Sequence, residues 1–248
     1  MSQNSLHFQV PAVSRRGGDT HIEIPIAGQA GIEFRIRGVT DMSFTPTQLG
    51  NLTLTIGLIP AMRTGRELRI DQPVSPKLLD AALTLQGIYR RWWRDFSKVG
   101  IAARPGSDLE SSVAGSRGSA AFFSGGVDSL YTIRDVRAEL NSLVFVHGFD
   151  IPADDRHKAQ RVRKRLSAAA EEIGLPVVEV WTNLRAFSDP LEVYWGHHYF
   201  GAALGAVGHL LSPSHRRVYL GGSEPYEQLV PWGGHVLTDE LWSSGDVE

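Results

Sequence analysis

The sequence predicts an α/β protein in which a parallel, doubly wound sheet follows an N-terminal β-rich lobe. After residue 118, four short apolar segments alternate with amphipathic ones, which is typical of parallel strands joined by helices that cover both faces. Before residue 103, short β-type segments are interrupted by Gly, Pro and Asp, as in a small antiparallel sheet. The 248 residues are 42% hydrophobic and 21% charged, a composition typical of folded domains.

Residues 1–102 are predicted to form the β-rich lobe together with one long helix. The helix is expected from Pro76 or Lys77 to about Lys98, because apolar side chains recur there every three or four positions. The run RRWWR at 90–94 would suit a nucleic-acid surface, but Trp92 belongs to the apolar stripe, so a core helix is favoured. The strands of the lobe are expected at residues 21–26, 32–36 and 52–59.

Residues 103–118 are rich in Gly, Ser, Pro and charge and are predicted to be a linker. Residues 119–248 are predicted to form the second domain. Its strands are expected at 120–123, 143–146, 177–181 and 218–220, and its helices at 127–140, 155–173 and 196–211. Right-handed crossovers bring the carboxyl ends of such strands to one edge, so a ligand is expected at that edge.

The turn after the first of these strands is the most informative segment. Two successive glycines allow positive φ and let a ligand approach bare backbone. Free amides at the helix start, with the hydroxyls of Ser124 and Ser129, would form an anion site, and Asp128 could hold Mg²⁺. The alternative is a plain strand-to-helix turn, while the missing Walker A lysine excludes a P-loop NTPase. The turn consists of Ser124, Gly125, Gly126, Val127, Asp128 and Ser129.

This turn resembles the SGGxDS signature of the PP-loop ATP pyrophosphatases, and the resemblance covers about residues 118–240. The resemblance implies a nucleotide alpha-hydrolase, Rossmann-like fold with ATP and Mg²⁺ as cofactors. In this family ATP is attacked at its α-phosphorus, which gives an adenylylated substrate and pyrophosphate. Asp128 and Ser129 would be catalytic residues, and Asp128 would also be the metal ligand.

Other residues at the same edge complete the expected site. His147 and Gly148 follow the second strand, where the family's backbone meets the adenine. The segment after the fourth strand is similar to that of the 7-cyano-7-deazaguanine synthase branch and would admit a ribose or acyl group, or be a plain turn. It consists of Gly221, Gly222 and Ser223. The aromatic loop 226–239 and the residue shortly before it are expected to recognise substrate, through Glu224, Tyr226, Trp232 and His235.

Cysteine is absent from the chain, which excludes thiolate zinc sites, Cys nucleophiles and disulfides. The cysteine zinc cluster of the 7-cyano-7-deazaguanine synthases is therefore missing, and no fifth parallel strand is predicted after Leu220.

Five histidines could suggest a metal site, but adjacent helical positions point about 100° apart. These histidines are His197, His198, His209, His215 and His235. Gly201, Gly205 and Gly208 are expected to pack α-helix 196–211 closely on the sheet. Asp189 and Glu192 are unranked acid–base candidates.

These observations predict an ATP-dependent ligase that adenylylates a carboxyl or amide oxygen, which a nitrogen nucleophile then attacks. The alternatives are an RNA-modifying PP-loop enzyme and a nucleotide-binding regulatory module without turnover. The balance of 25 Lys and Arg against 27 Asp and Glu gives no overall attraction to nucleic acid, and the basic run 156–165 is expected to be solvated, with tRNA binding as the alternative. The sequence shows no signal peptide and no apolar run of membrane length, so a cytoplasmic protein with no membrane partner is expected. A homodimer is a further possibility that the sequence does not decide.

Overall fold

The computed structural model describes residues 4–40, 42–107, 117–150, 156–222 and 224–248, and these residues form a mixed α/β structure. The strands are β1 (Ser5–Phe8), β2 (Ala12–Arg16), β3 (Asp19–Ile24), β4 (Ile32–Arg37), β5 (Glu67–Ile70), β6 (Ile101–Ala102), β7 (Gly118–Phe122), β8 (Ser142–His147), β9 (Val177–Thr182) and β10 (His215–Tyr219). The helices are α1 (Pro46–Thr64), α2 (Pro76–Trp92), α3 (Val127–Asp135), α4 (Arg156–Ile173), α5 (Leu184–Ser188) and α6 (Phe200–Leu211). None of these helices has the length and apolar character needed to cross a bilayer.

The strands form a three-stranded parallel sheet, β1-β5-β6, and a seven-stranded mixed sheet, β10-β7-β8-β9-β4-β3-β2. In the larger sheet, β10, β7, β8 and β9 are parallel, whereas β4, β3 and β2 continue it in antiparallel fashion. The sheet as a whole is therefore mixed, and the expectation of a parallel sheet holds for four of its strands. The antiparallel strands lie before residues 103–118, and Arg35 of β4 lies opposite Trp181 of β9.

The prediction of a strand at residues 52–59 is wrong, because this apolar segment belongs to α1. Thr45 caps this helix: its side chain accepts from the Gln48 amide (3.2 Å), and its own amide donates to the Gln48 side chain (2.9 Å). Residues 47–62 are all buried, so α1 has no polar face to give a helical periodicity. A fully buried helix and a buried strand cannot be told apart by periodicity, but the cap and the following Gly65 define the helix.

The remaining predicted elements are present with shifted ends. Helix α2 stops at Trp92 rather than near Lys98, because Trp93 is extended (φ −130°, ψ 125°). Its apolar stripe is buried as expected up to Tyr89, and Trp92 is half-buried and packs on Tyr89 and His235. The start of the helix predicted at 196–211 is a π-helical turn over Trp195–Tyr199, followed by α6. After Tyr219, the described residues contain no further strand.

Helices cover both faces of the parallel strands. On one face, Ala120, Val144 and Val178 belong to the cluster that contains α1 and α6. On the other face, Ala121 and Leu143 pack with side chains of α3 and α4. Burial on both faces explains why these strands are uniformly apolar.

Helix α1 approaches the segment after β5 so closely that only glycine fits at position 50. A Cβ at Gly50 would overlap the backbone carbonyl of Pro73. We expect Gly50→Ala to lower the free energy of unfolding by about 1–3 kcal/mol, because backbone must move to relieve the overlap. The measurement is urea denaturation followed by circular dichroism.

Gly87 on α2 provides the matched control, because a Cβ there meets nothing within 4 Å. Gly87→Ala should raise the free energy of unfolding by up to about 1 kcal/mol, since alanine favours the helix. Equal stability of the two variants would contradict the packing of α1 described above.

Candidate functional site

Strand order reverses at the carboxyl end of β7. The chain passes from β7 to β8 on one side and returns with β10 on the other, and ligands of open α/β sheets bind at such a point. The reversal brings together turn 124–129, which follows β7, and Gly221, which follows β10. A Cβ at Gly221 would lie 3.1 Å from the carbonyl oxygen of Asp128. Two segments that were predicted separately are thus neighbours.

The turn is held in shape by its own serines. Gly125 has φ +78°, a conformation that favours glycine. The Gly126 amide donates to Ser124 Oγ (3.2 Å), and the Ser129 hydroxyl donates to the Gly126 carbonyl (2.8 Å). The two hydroxyl oxygens are 3.3 Å apart. The serines therefore both shape the turn and place two hydroxyls beside it.

Three amides of this turn belong to exposed residues and have no partner within the described part of the chain. Residues 124–128 are exposed, and Ser129 is buried. Among the described residues, the amides of Gly125, Val127 and Asp128 donate to no protein acceptor. Because α3 begins at Val127, its unpaired amides and its dipole favour a negative group at this point.

A cavity of about 190 Å³ opens beside the turn. Its walls come from the ends of β7, β8 and β10 and from the start of α6. The Trp195 indole N–H donates to Asp150 Oδ1 (3.2 Å), and its ring lies 4.5 Å from that of Phe149. Small-molecule pockets commonly measure about 300–1,000 Å³, so this cavity has room for one ring system rather than a whole nucleotide. The polar turn residues that line it are Ser124, Asp128 and Ser129, and the aromatic ones are Phe122, Phe123, Phe145, Phe149, Trp195 and Phe200.

His147 and Gly148 do not line this cavity, although their neighbours Val146, Phe149 and Asp150 do. The buried imidazole of His147 bonds Glu179 (Nε2 to Oε2, 3.0 Å) and stacks on Trp181 (4.6 Å). Burial raises the pKa of Glu179, but His147 and Arg163 outweigh it and hold that pKa below its usual value. A Cβ at Gly148 would overlap the Thr182 carbonyl. Both residues therefore have structural contacts here.

The predicted substrate residues lie outside the cavity. Gly222, Glu224 and Tyr226 are exposed, and Ser223 lies outside the described residues. Trp232 packs on His197 (4.4 Å) and His235 packs on Trp92 (4.9 Å). The structure therefore brings Gly221 to the turn, leaves Glu224, Tyr226 and Trp232 on the surrounding surface, and buries His235.

The five histidines are scattered among local partners. The Tyr194 amide donates to His198 Nδ1 (3.2 Å), His209 Nε2 donates to the Trp242 carbonyl (2.8 Å), and His215 bonds Ser142 and Ser214. Within the described ranges, no group of three or more His, Asp or Glu is placed to hold a metal ion. A magnesium ion would therefore need phosphate oxygens as additional ligands, as is usual for this ion.

The glycines of α6 do not pack on the sheet, which corrects the sequence-based expectation. The Gly201 amide donates to the Gly233 carbonyl (2.8 Å), and a Cβ at Gly205 would lie 2.8 Å from Cβ of Trp242. Gly201 and Gly205 face segment 233–242, because Ala202, Ala203, Ala206 and Val207 occupy the core side of the helix, whereas a Cβ at Gly208 would meet nothing within 4 Å.

The remaining charged candidates lie in ion pairs or on the surface. Asp189 pairs with Arg185 (3.1 Å), and Glu192, with φ +56°, pairs with Arg63. On α4, Arg161, Lys164 and Arg165 are exposed and form no ion pair among the described residues. The position of a Cβ at Gly125 is 3.0 Å from Leu166, so α4 meets the turn through its buried side. RNA binding at the exposed basic residues of α4 stays a prediction.

Sequence reasoning missed the aromatic wall of the cavity, Phe149, Trp195 and Phe200. The signal in the sequence is the concentration of aromatic rings in the segment 193–200, VYWGHHYF, whose histidines suggested a metal site instead.

Comparisons with protein-family models, curated proteins and solved structures give no match.

Histidine 209 makes stability depend on pH. Burial lowers its pKa to about 4, and the bond to the Trp242 carbonyl opposes this only in part. Between pH 6.5 and pH 4 the unfolded chain binds a proton that the folded chain does not, so the free energy of unfolding falls as the pH falls. A difference near 2.5 pKa units corresponds to about 3 kcal/mol.

His209→Gln keeps a donor for the Trp242 carbonyl and removes this titration. Urea denaturation at several pH values should show the wild-type protein losing up to about 3 kcal/mol more than the variant between pH 7 and pH 4. The exposed His157 serves as control through His157→Gln, which should follow the wild-type curve. Parallel curves for His209→Gln and wild type would contradict the buried, neutral state of His209.

Proposed function

We propose that the chain binds Mg–ATP at the carboxyl end of β7 and transfers its adenylyl group to a carboxyl or amide oxygen, as a PP-loop ATP pyrophosphatase-type ligase. The observation that carries this proposal is the exposed SGGVDS turn with unpaired amides, placed where strand order reverses. Four parallel strands with helices on both faces support the doubly wound, nucleotide alpha-hydrolase arrangement that such an activity implies.

In this proposal the base enters the aromatic cavity and the phosphates lie on the turn. Phe149 and Trp195 would contact the base, since their rings form the apolar wall. The amides of Gly125, Val127 and Asp128 would donate to phosphate oxygens, which need donors and a positive dipole. The exposed carboxylate of Asp128 would complete the ligands of Mg²⁺.

The residues of the turn would act by positioning and by charge neutralisation. The substrate oxygen attacks the α-phosphorus, the bond to the bridging oxygen of the β-phosphate breaks, and pyrophosphate leaves. Amides and Mg²⁺ that neutralise the departing pyrophosphate stabilise this step. A nitrogen nucleophile then forms the C–N bond while AMP leaves with the C–O electron pair. Ser129, which bonds Gly126 and Ser124, would keep the turn in the geometry that this requires.

Asp128→Asn should raise the dissociation constant for Mg–ATP at least tenfold, because a neutral amide is a poor ligand for Mg²⁺. The side chain is exposed, so the thermal midpoint should stay unchanged. Isothermal titration calorimetry measures the binding. Asp135→Asn, at the other end of α3 and equally exposed, removes the same charge and should bind like wild type. Equal affinities of the two variants would rule out Asp128 as a metal ligand.

Turnover separates the ligase from a regulatory module. The protein is incubated with ATP, Mg²⁺, hydroxylamine and a panel of carboxylic acids that contains the substrate. We expect wild type to release equimolar AMP and pyrophosphate, and Asp128→Asn to release no pyrophosphate. Tight Mg–ATP binding without pyrophosphate release across the panel would favour a nucleotide-binding module. The readouts are coupled pyrophosphate detection and chromatography of AMP.

A further inference from the structure

A second and larger cavity lies directly behind the site. This groove, of about 800 Å³, runs between α6, β10 and segment 239–248. Its volume falls within the range of small-molecule sites. It shares Phe122, Leu204 and Leu220 with the cavity beside the turn. A molecule in the groove would therefore be separated from the proposed ATP site only by side chains that line both.

The charged side chains that line this groove are negative in sum, with three carboxylates against two cations. Lys77 Nζ donates to the Ser244 carbonyl (3.2 Å), and Arg217 pairs with Glu248 (2.5 Å) and Glu139 (3.5 Å). Arg217 is thus neutralised by carboxylates, whereas Lys77 binds a neutral carbonyl and keeps its positive charge. Asp239 and Glu240 have no basic partner among the residues that the structure describes. The charge left for a ligand favours a cation or a group rich in N–H donors.

Asp239 is fixed in place and lacks a counter-charge. Its Oδ1 accepts the His235 amide (2.9 Å), and a Cβ at Gly201 would lie 2.9 Å from the same oxygen. Burial raises the pKa of this carboxyl to about 6, although the bonds from His235 and Thr238 lower it. A ligand that donates to the carboxylate would relieve the cost of burying this charge.

The other walls are apolar or aromatic. Tyr219, Trp242 and Leu204 line the groove, and Gly208 leaves its middle open, since a Cβ there would meet nothing within 4 Å. The Trp242 indole N–H is buried and has no acceptor within the described part of the chain. Rings of this kind suit a flat ligand, and they attract a cation placed over their faces.

We propose that the groove binds the nitrogen-bearing substrate, a flat apolar compound that carries an amine or amidine, with Asp239 as its anchoring carboxylate. The identification of the ligand as the nitrogen donor rests on the proposed function, which requires a nitrogen nucleophile. The attacking nitrogen must be neutral, so it is a second nitrogen of the ligand and not the cationic one that Asp239 holds. The selection of a cationic, flat compound rests on the groove alone. The shared wall at Leu204 and Leu220 gives the two ligands adjacent sites.

The test uses benzamidine as the probe and benzoate as its counterpart of opposite charge. Calorimetry on the full chain should show millimolar or tighter binding of benzamidine and none of benzoate. Asp239→Asn, which keeps the acceptor for the His235 amide, should weaken benzamidine binding at least tenfold. Gly208→Leu should abolish it by filling the open middle of the groove.

Two control variants match these changes. Glu227→Gln removes an exposed charge from the loop before the groove, and Gly87→Leu adds the same side chain on α2, where space is also open. Both should bind benzamidine like wild type, and circular dichroism checks the fold of each variant. Absence of binding to wild type, or undiminished binding to Gly208→Leu or Asp239→Asn, overturns the proposal.

ATP titrations on the same proteins separate this proposal from the proposed function. Benzamidine binding that responds to the groove variants, without any Mg–ATP binding, would overturn the proposed ligase and leave the groove as a nitrogen-compound site. Mg–ATP binding without benzamidine binding would overturn the groove proposal alone.

Discussion

The pairing of β7 between β10 and β8 is the constraint on which the candidate site depends. Ala120 and Ala121 are fully buried on opposite faces, and the Phe123 amide still donates to the Val144 carbonyl (2.8 Å). The ladder therefore persists up to the residue before the turn. Because β7 lies between two parallel strands, its end is flanked by the ends of both neighbours, and the turn opens at the reversal of strand order.

The turn combines stiffness with open donors. Serine hydroxyls and the left-handed Gly125 satisfy the geometry of the turn from within, so the amides beside them do not have to be consumed by neighbouring loops. Unpaired amides are tolerated only where water or a ligand reaches them, and the exposure of residues 124–128 meets that condition. A donor array that is fixed before a ligand arrives lowers the ordering cost of binding.

Sequence patterns predicted the parts of the fold that depend on local order. Strands 143–146 and 177–181 and the turn at 124–129 follow from short apolar runs and from glycine and serine, which act within a few residues. Helix α1 was missed because its burial on all sides leaves no periodic face. The pairing of Arg35 with Trp181 joins residues distant in the chain, and no local pattern reports such a pairing.

The candidate site shows the same division. The donors of the turn lie in one contiguous motif and were predicted, whereas the cavity wall comes from separate segments that meet only in three dimensions. Phe149 and Trp195 are in contact, and Arg185 joins their two segments, since it donates to the Phe149 carbonyl (2.9 Å) and lies 5.7 Å from the Trp195 ring. Trp195 lies in a π-helical turn, a local feature common at functional sites but not foreseen from sequence.

Helix α6 links the cavity and the groove through its two sides. Alanines and Val207 let it lie close to the core, while Gly201, Gly205 and Gly208 line the groove on its other side. Leu204 reaches both spaces. Glycine in a helix interior costs about 1 kcal/mol relative to alanine, so three glycines on one face destabilise this helix. Gly205 offsets that cost by close packing on Trp242. At Gly208 no packing offsets the destabilisation, and the space beside this glycine is part of the groove.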